Sequence, residues 1–149
     1  MPTPSPTLRP LTLADYAAVL DLWQKTEGLH IGESDTPEAI AAFLQRNPGL
    51  SQVATLATGK IVGAVLCGHD GRRGYLHHLA VTPAQRQQGI GRALVDRCLA
   101  LLRAQGITRC NILLITSNTL GQAFWQREGW KLREDVRLVQ KILVAGIDD

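Results

Sequence analysis

Leu79-Ala80-Val81-Thr82-Pro83-Ala84-Gln85-Arg86-Gln87-Gln88-Gly89-Ile90-Gly91-Arg92-Ala93-Leu94 is the stretch that decides the fold. It passes from a strand-like apolar segment through a short polar loop into a helix opened by two glycines. The first N–H groups of a helix have no partner inside it and lie at the positive end of the helix dipole. Here those groups belong to Gln88 through Ala93, and glycine at 89 and 91 removes side chains that would hold an anion away. The segment therefore reads as a cradle for a phosphate or pyrophosphate. A P-loop would need Lys followed by Ser or Thr after its last glycine, where Arg92-Ala93 stand. A dinucleotide fingerprint would need a small residue at position 94, where leucine stands. Taken alone, a Gly-x-Gly after a loop is more often the start of an ordinary helix.

On either side, helix and strand signals alternate almost to the end of the chain. After an extended start at Leu8 to Pro10, Thr12 and Asp15 have capping-box spacing, and Tyr16, Val19, Leu20 and Trp23 recur at helical intervals. Glu27 to Asp35 is a loop, and Thr36-Pro37 opens a second helix that Asn47-Pro48-Gly49 closes. Ser51 to Ala57 and Lys60 to Cys67 form a hairpin about Thr58-Gly59, and Tyr75 to Val81 adds a third strand. A helix from Gly89 to about Gln105 carries Ile90, Leu94, Cys98 and Leu101 on one face. Arg109 to Ile115 is predicted as a strand, Asn118 to Glu128 as a helix and Val136 to Leu143 as a last strand. The result is a mixed α/β (α+β) domain with one central sheet.

With this context, Arg86-Gln87-Gln88-Gly89-Ile90-Gly91 resembles the Arg/Gln-x-x-Gly-x-Gly/Ala signature of the GNAT superfamily of acetyl-CoA-dependent N-acetyltransferases. Leu79-Ala80-Val81-x-Pro83 resembles the strand that leads into it. Downstream, Asn118, Ala123-Phe124-Trp125 and Gly129-Trp130 resemble the family's Asn…Ala-Leu-Tyr…Gly-Phe segment, and Asp70-Gly71-x-Arg73-Gly74 resembles a bacterial branch of small single-domain members. The order of elements agrees over roughly residues 7 to 144. The resemblance implies a GNAT-like fold: a central, mostly antiparallel mixed sheet flanked by helices and splayed at the cofactor strand. It further implies one acetyltransferase domain over residues 1–149, with 1–6 a flexible N-terminus and 145–149 a C-terminal tail.

The resemblance also implies roles residue by residue. N–H groups of Gln87, Gln88, Gly89, Ile90, Gly91, Arg92 and Ala93, with Arg86 nearby, would hold the pyrophosphate of acetyl-CoA. Leu79, Ala80 and Val81 would pair with the pantetheine arm as an added strand, their N–H groups polarising the thioester carbonyl. Asn118 would contact that arm, although Asn there equally suits a helix N-cap. Where Trp125 stands, members commonly carry a Tyr that protonates the departing thiolate. Indole is a poor acid, so Trp125 would pack on the acyl or pantetheine chain instead. Tyr75, Cys110, Ser117 or water is left as the acid. Members often carry Glu three residues ahead of the alanine that Ala80 matches; His77 stands there, with His78 beside it. An imidazole suits removal of a proton from an ammonium near neutral pH. Strand alternation would turn His77 toward the substrate and His78 away.

The implied activity is acetyl transfer from acetyl-CoA to a primary amine by direct attack in a ternary complex. The altered acid and base leave a non-catalytic acyl-CoA-binding sensor as the alternative. Acceptors of either kind, a small-molecule amine or an amine of a protein or peptide, suit the same chemistry, and a homodimer is admitted. Between the first two helices, Glu27, His30 and Glu33 are candidate substrate-binding residues, since carboxylates attract a cationic amine.

Composition narrows the partners. The chain has 149 residues, 45% hydrophobic and 19% charged, with 16 Lys+Arg against 13 Asp+Glu for a net +3. The basic excess is scattered and aromatics are 5%, so no stripe suited to nucleic acid is present. No apolar run approaches the ~20 residues of a membrane helix, and MPTPSPT is unlike a signal peptide. Cys67, Cys98 and Cys110 are odd in number and lack metal or redox spacing, which suits a reducing, cytoplasmic setting with no metal.

Overall fold

A computed structural model describes residues 6–147. The chain forms two compact units that meet in sequence between Leu113 and Leu114. The expected flexible N-terminus lies outside the described residues up to position 5, as do positions 148 and 149 of the expected tail.

The first unit is a five-stranded sheet in the order β1-β2-β3-β4-β5: β1 Thr7–Pro10, β2 Gln52–Thr55, β3 Ile61–His69, β4 Gly74–Val81 and β5 Cys110–Ile112. The first four strands are antiparallel neighbours, and β5 joins β4 in parallel. The expected mixed, mostly antiparallel sheet is therefore present. Helices α1 (Tyr16–Gln24) and α2 (Pro37–Arg46) fall between β1 and β2, and α3 (Ile90–Ala104) follows β4.

Local chemistry explains the boundaries. The Asp15 carboxylate accepts the Thr12 N–H at 2.9 Å ahead of α1. The Thr36 hydroxyl accepts the Ala39 N–H at 3.1 Å at the start of α2, with Pro37 in the first turn. Val19, Leu22 and Trp23 of α1 and Ile40 of α2 bury against Val53, Ala64, Leu66 and Ala80 of the sheet. From α3, Ile90, Leu94, Val95, Cys98 and Leu102 are buried. The stripe thus ends at Leu102 rather than Leu101, as a strict i, i+4 row requires. This contact is close: a Cβ on Gly63 would come within 3.0 Å of Leu94, and one on Gly74 within 2.7 Å of Leu102.

The second unit contains helix α4, Thr119–Arg127. The expected last strand over Val136 to Leu143 is not formed. Val136, Leu138, Val139 and Leu143 are exposed instead, and no sheet takes up the segment among the described residues. Alternating apolar residues give a segment strand propensity, but a strand exists only where another edge accepts its hydrogen bonds.

Candidate active site

Strand β4 and the loop into α3 carry most of the candidate residues. The pairing of β4 with β3 contains a bulge: Leu66 pairs with His77 and Ala64 with Ala80, so His78 and Leu79 together oppose Val65. At the bulge His78 has φ +53°, a left-handed conformation uncommon outside glycine. The extra residue breaks the alternation of side chains. His77 and His78 therefore do not point to opposite faces, as a regular strand would have them do. His77 lies edge-on to Phe43 of α2, with ring centroids 6.1 Å apart, and His78 lies against Trp23 of α1, at 5.0 Å. Both rings sit on the side of the sheet that α1 and α2 cover.

The two imidazoles have different neighbours. His77 stacks on Tyr75 at 6.2 Å, and its proton affinity is held below the ordinary imidazole value, first by burial and then by the charge of His78, against a pull from Asp35. His78 reaches Asp35 instead, with Nε2 to Oδ1 at 2.8 Å. Asp35 is 5% exposed, and its other carboxylate oxygen accepts the Gly32 N–H at 3.0 Å. Burial works to raise the Asp35 carboxyl, but the bond from His78, the Gly32 N–H and the histidine charges outweigh it and hold the group below the usual carboxylate range. The Tyr16 hydroxyl donates to the Asp35 carbonyl at 2.6 Å and fixes the loop to α1. Trp23 is fully buried, and its indole N–H has no hydrogen-bond partner among the described residues.

The open edge of β4 comes next. Pairing with β5 covers only Gly74, Tyr75 and Leu76, so the two strands part at His77 and the sheet is splayed as expected. Thr82 donates its N–H to Val62 on the β3 side at 2.8 Å. Val81, one residue earlier, therefore turns its N–H and carbonyl to the opposite edge. There the Arg86 Nε donates to the Val81 carbonyl at 3.1 Å, so Arg86 ties the loop to the strand. Ala80 is buried, while Leu79 and Val81 are half-buried.

Beyond β4 the loop is exposed. Gln87 has φ +64° and Gly89 φ +81°, with Gln88 between them outside the left-handed region. Backbone of alternating hand turns successive N–H groups toward one side, which makes a concavity suited to an anion. The first backbone bond into α3 runs from Ala93 N–H to the Gly89 carbonyl, so the N–H groups of Gly89, Ile90 and Gly91 precede it. A Cβ on Gly89 would meet no atom of the described residues within 4 Å. Arg92 is exposed, its Nε 4.0 Å from Asp96.

The remaining candidates belong to other segments of the chain. Glu27, His30 and Glu33 are exposed between α1 and α2, whereas Asp35 of the same segment turns inward. Among the alternative acids, Tyr75 is half-buried against His77, and the Cys110 thiol is pushed up to about 12 by burial and by Cys67. Ser117 is exposed in the second unit. Within that unit Asn118 caps α4, its side chain accepting the Gly121 N–H at 2.9 Å. Trp125 is buried, edge-on to Phe124 and Trp130.

The sequence profile of the Acetyltransferase (GNAT) family matches residues 16–130. The chain belongs to the GNAT acetyltransferase family. It is 30% identical over 130 residues to an acetyltransferase of Sodalis glossinidius, covering 87% of this chain and 90% of that one. Among solved structures, Ard1 from Thermoplasma volcanium superposes with a TM-score of 0.76 at 23% identity, over 87% of this chain and 85% of that one. The PaiA N-acetyltransferase from Thermoplasma acidophilum, in complex with coenzyme A, gives 0.75 at 18% identity over 87% and 92%. This GNAT fold accounts for the splayed β4 and for the helix that starts beside it.

Proposed function

We propose that this GNAT protein is an enzyme that transfers an acetyl group from acetyl-CoA to a primary amine within a ternary complex. The carrying observation is the left-handed Gly89 at the head of α3, with no atom of the described residues within 4 Å of where its Cβ would stand, in the loop that follows the open edge of β4. These residues fit a pyrophosphate followed by an extended arm: Gln87 to Ala93, with Arg86, for the former, and Leu79 to Val81 for the latter. Asn118 and Trp125 are assigned to the arm by resemblance. Bound there, acetyl-CoA supplies an activated thioester. The amine loses a proton to a β4 imidazole, His77 or His78, and attacks the carbonyl as coenzyme A leaves as the thiol. Glu27, His30 and Glu33 would draw the cationic amine of a small molecule or a protein toward the site.

Direct attack is supported by the cysteines. Burial and neighbouring charge push the Cys110 thiol to about 12, and Cys98 is raised further, first by its bond to Cys67 and then by burial. Neither supplies a thiolate for an acetyl-enzyme at neutral pH. The location proposed is the cytoplasm; no helix of the described residues is long and apolar enough to cross a membrane. The deciding assay follows thiol release from acetyl-CoA with a panel of polyamines, amino acids and peptides. Release with at least one amine, and initial-rate lines that intersect, are expected. Parallel lines would indicate a ping-pong route. Tight acetyl-CoA binding without release for any acceptor would make the protein an acyl-CoA sensor.

A further inference from the structure

We infer that Asp35 is a positioning residue that sets the tautomer of His78, so that Nδ1 of His78 takes the proton from the amine. This rests on the acetyl-transfer reading and narrows it to one ring and one nitrogen. An ionised carboxylate only accepts hydrogen bonds. Asp35 Oδ1 lies 2.8 Å from His78 Nε2, so that nitrogen carries the hydrogen and Nδ1 keeps its lone pair. The second Asp35 oxygen is held by the Gly32 N–H and its main chain by the Tyr16 hydroxyl, so the carboxylate cannot swing away. Trp23 of α1 packs on the His78 ring. A ring held by a buried carboxylate and an indole is preorganised, as proton transfer at a fixed point requires.

The backbone agrees. A non-glycine residue at φ +53° persists only where its surroundings over-determine it, and such residues gather at functional sites. Here the bulge brings His78 to the covered face at the point where β4 has just lost β5. His77 has aromatic rings on two sides and, among the described residues, no carboxylate within hydrogen-bond distance to fix which of its nitrogens is protonated. The charged and titratable groups near His78 are Asp35, from the connection between α1 and α2, and His77 on β4; α1 adds the uncharged Trp23 and the Tyr16 hydroxyl.

The steps balance. One ammonium proton moves to Nδ1, and the imidazolium faces the Asp35 carboxylate. The neutral amine forms its C–N bond as the C–S bond breaks. The second N–H proton passes to the departing thiolate, and His78 returns its proton to solvent.

The test measures thiol release against pH at saturating acetyl-CoA for wild type, Asp35→Asn, His78→Gln and His77→Gln, alongside ¹⁵N spectra of the imidazoles. In wild type, His78 should be protonated at Nε2. In Asp35→Asn the side-chain amide can donate to Nε2, which moves the ring proton to Nδ1. Turnover should then fall by about 10²-fold or more with acetyl-CoA affinity retained. His78→Gln should lose a comparable factor together with the acidic limb of the profile. If Asp35→Asn does not fold, His78→Gln, at a side chain 19% exposed, carries the kinetic test. Wild-type rate and limb in either variant overturn the inference and leave acetyl transfer standing, as does a limb lost only in His77→Gln. A wild-type protein that releases no thiol with any amine overturns both.

Discussion

Replacing Gly89 with valine acts through two separable terms. The residue has φ +81°, where a β-branched side chain costs on the order of 1–2 kcal/mol. For a chain of this length that corresponds to a fall in Tm of roughly 2–8 °C. The second term is steric. A Cβ at 89 meets no atom of the described residues within 4 Å, so the fold admits the new side chain, which would compete with the pyrophosphate that the proposed function places at this loop. A pyrophosphate bound there must shift or leave, and acetyl-CoA affinity should fall at least ~10-fold, about 1.4 kcal/mol. Gly89→Asn separates the terms, because asparagine tolerates left-handed backbone but still fills the same space. Calorimetric titration with acetyl-CoA, paired with a thermal melt, reads both. Both variants should bind more weakly, and valine should melt lower. Wild-type affinity in both would refute the placement of the pyrophosphate at Gly89 and remove the observation on which the proposed function rests.

Asn118→Ala removes the acceptor for the Gly121 N–H and should lower stability by about 1 kcal/mol, seen as a lower urea midpoint; with Asn118 assigned to the cofactor's arm, acetyl-CoA affinity should also fall several-fold. Unchanged affinity would remove Asn118 from the arm and leave it the cap of α4 alone. His77 predicts a pH effect on stability. Its folded affinity for protons is lowered chiefly by burial, so below the unfolded value near 6.5 the unfolded chain binds the proton first. Stability should therefore drop as pH falls through roughly 6.5, and His77→Gln should flatten that slope in denaturant titrations. An unaltered slope would mean that His77 ionises as freely in the folded protein as in the unfolded chain.

The elements around the glycine loop were legible because short-range rules determine them. Thr36 caps α2, Asn118 caps α4, and the i, i+4 row of α3 from Ile90 to Cys98 needs only its own side chains to be recognised. What escaped depends on partners distant in sequence. The bulge at His78 is a matter of register between β3 and β4, and no glycine marks it; histidine's tolerance of left-handed backbone was the one available hint. Asp35 looked like one more carboxylate in a polar loop, because its bond to His78 spans 43 positions. The segment from Val136 to Leu143 shows the reverse case, a strand pattern that joins no strand of the sheet among the described residues.

The early parting of β4 and β5 also bears on solubility. Unpaired main-chain groups along a strand are a template on which a foreign strand can build, and long, flat edges of this kind nucleate aggregation. On β4 the free edge is confined to 77–81. The bulge bends it at His78, and the Arg86 guanidinium already occupies the Val81 carbonyl at its far end. An intruding chain would find too few regularly spaced groups to extend a ladder, whereas a narrow, flexible ligand needs only a few. The same irregularity that opens the strand to a slender guest denies it to another sheet.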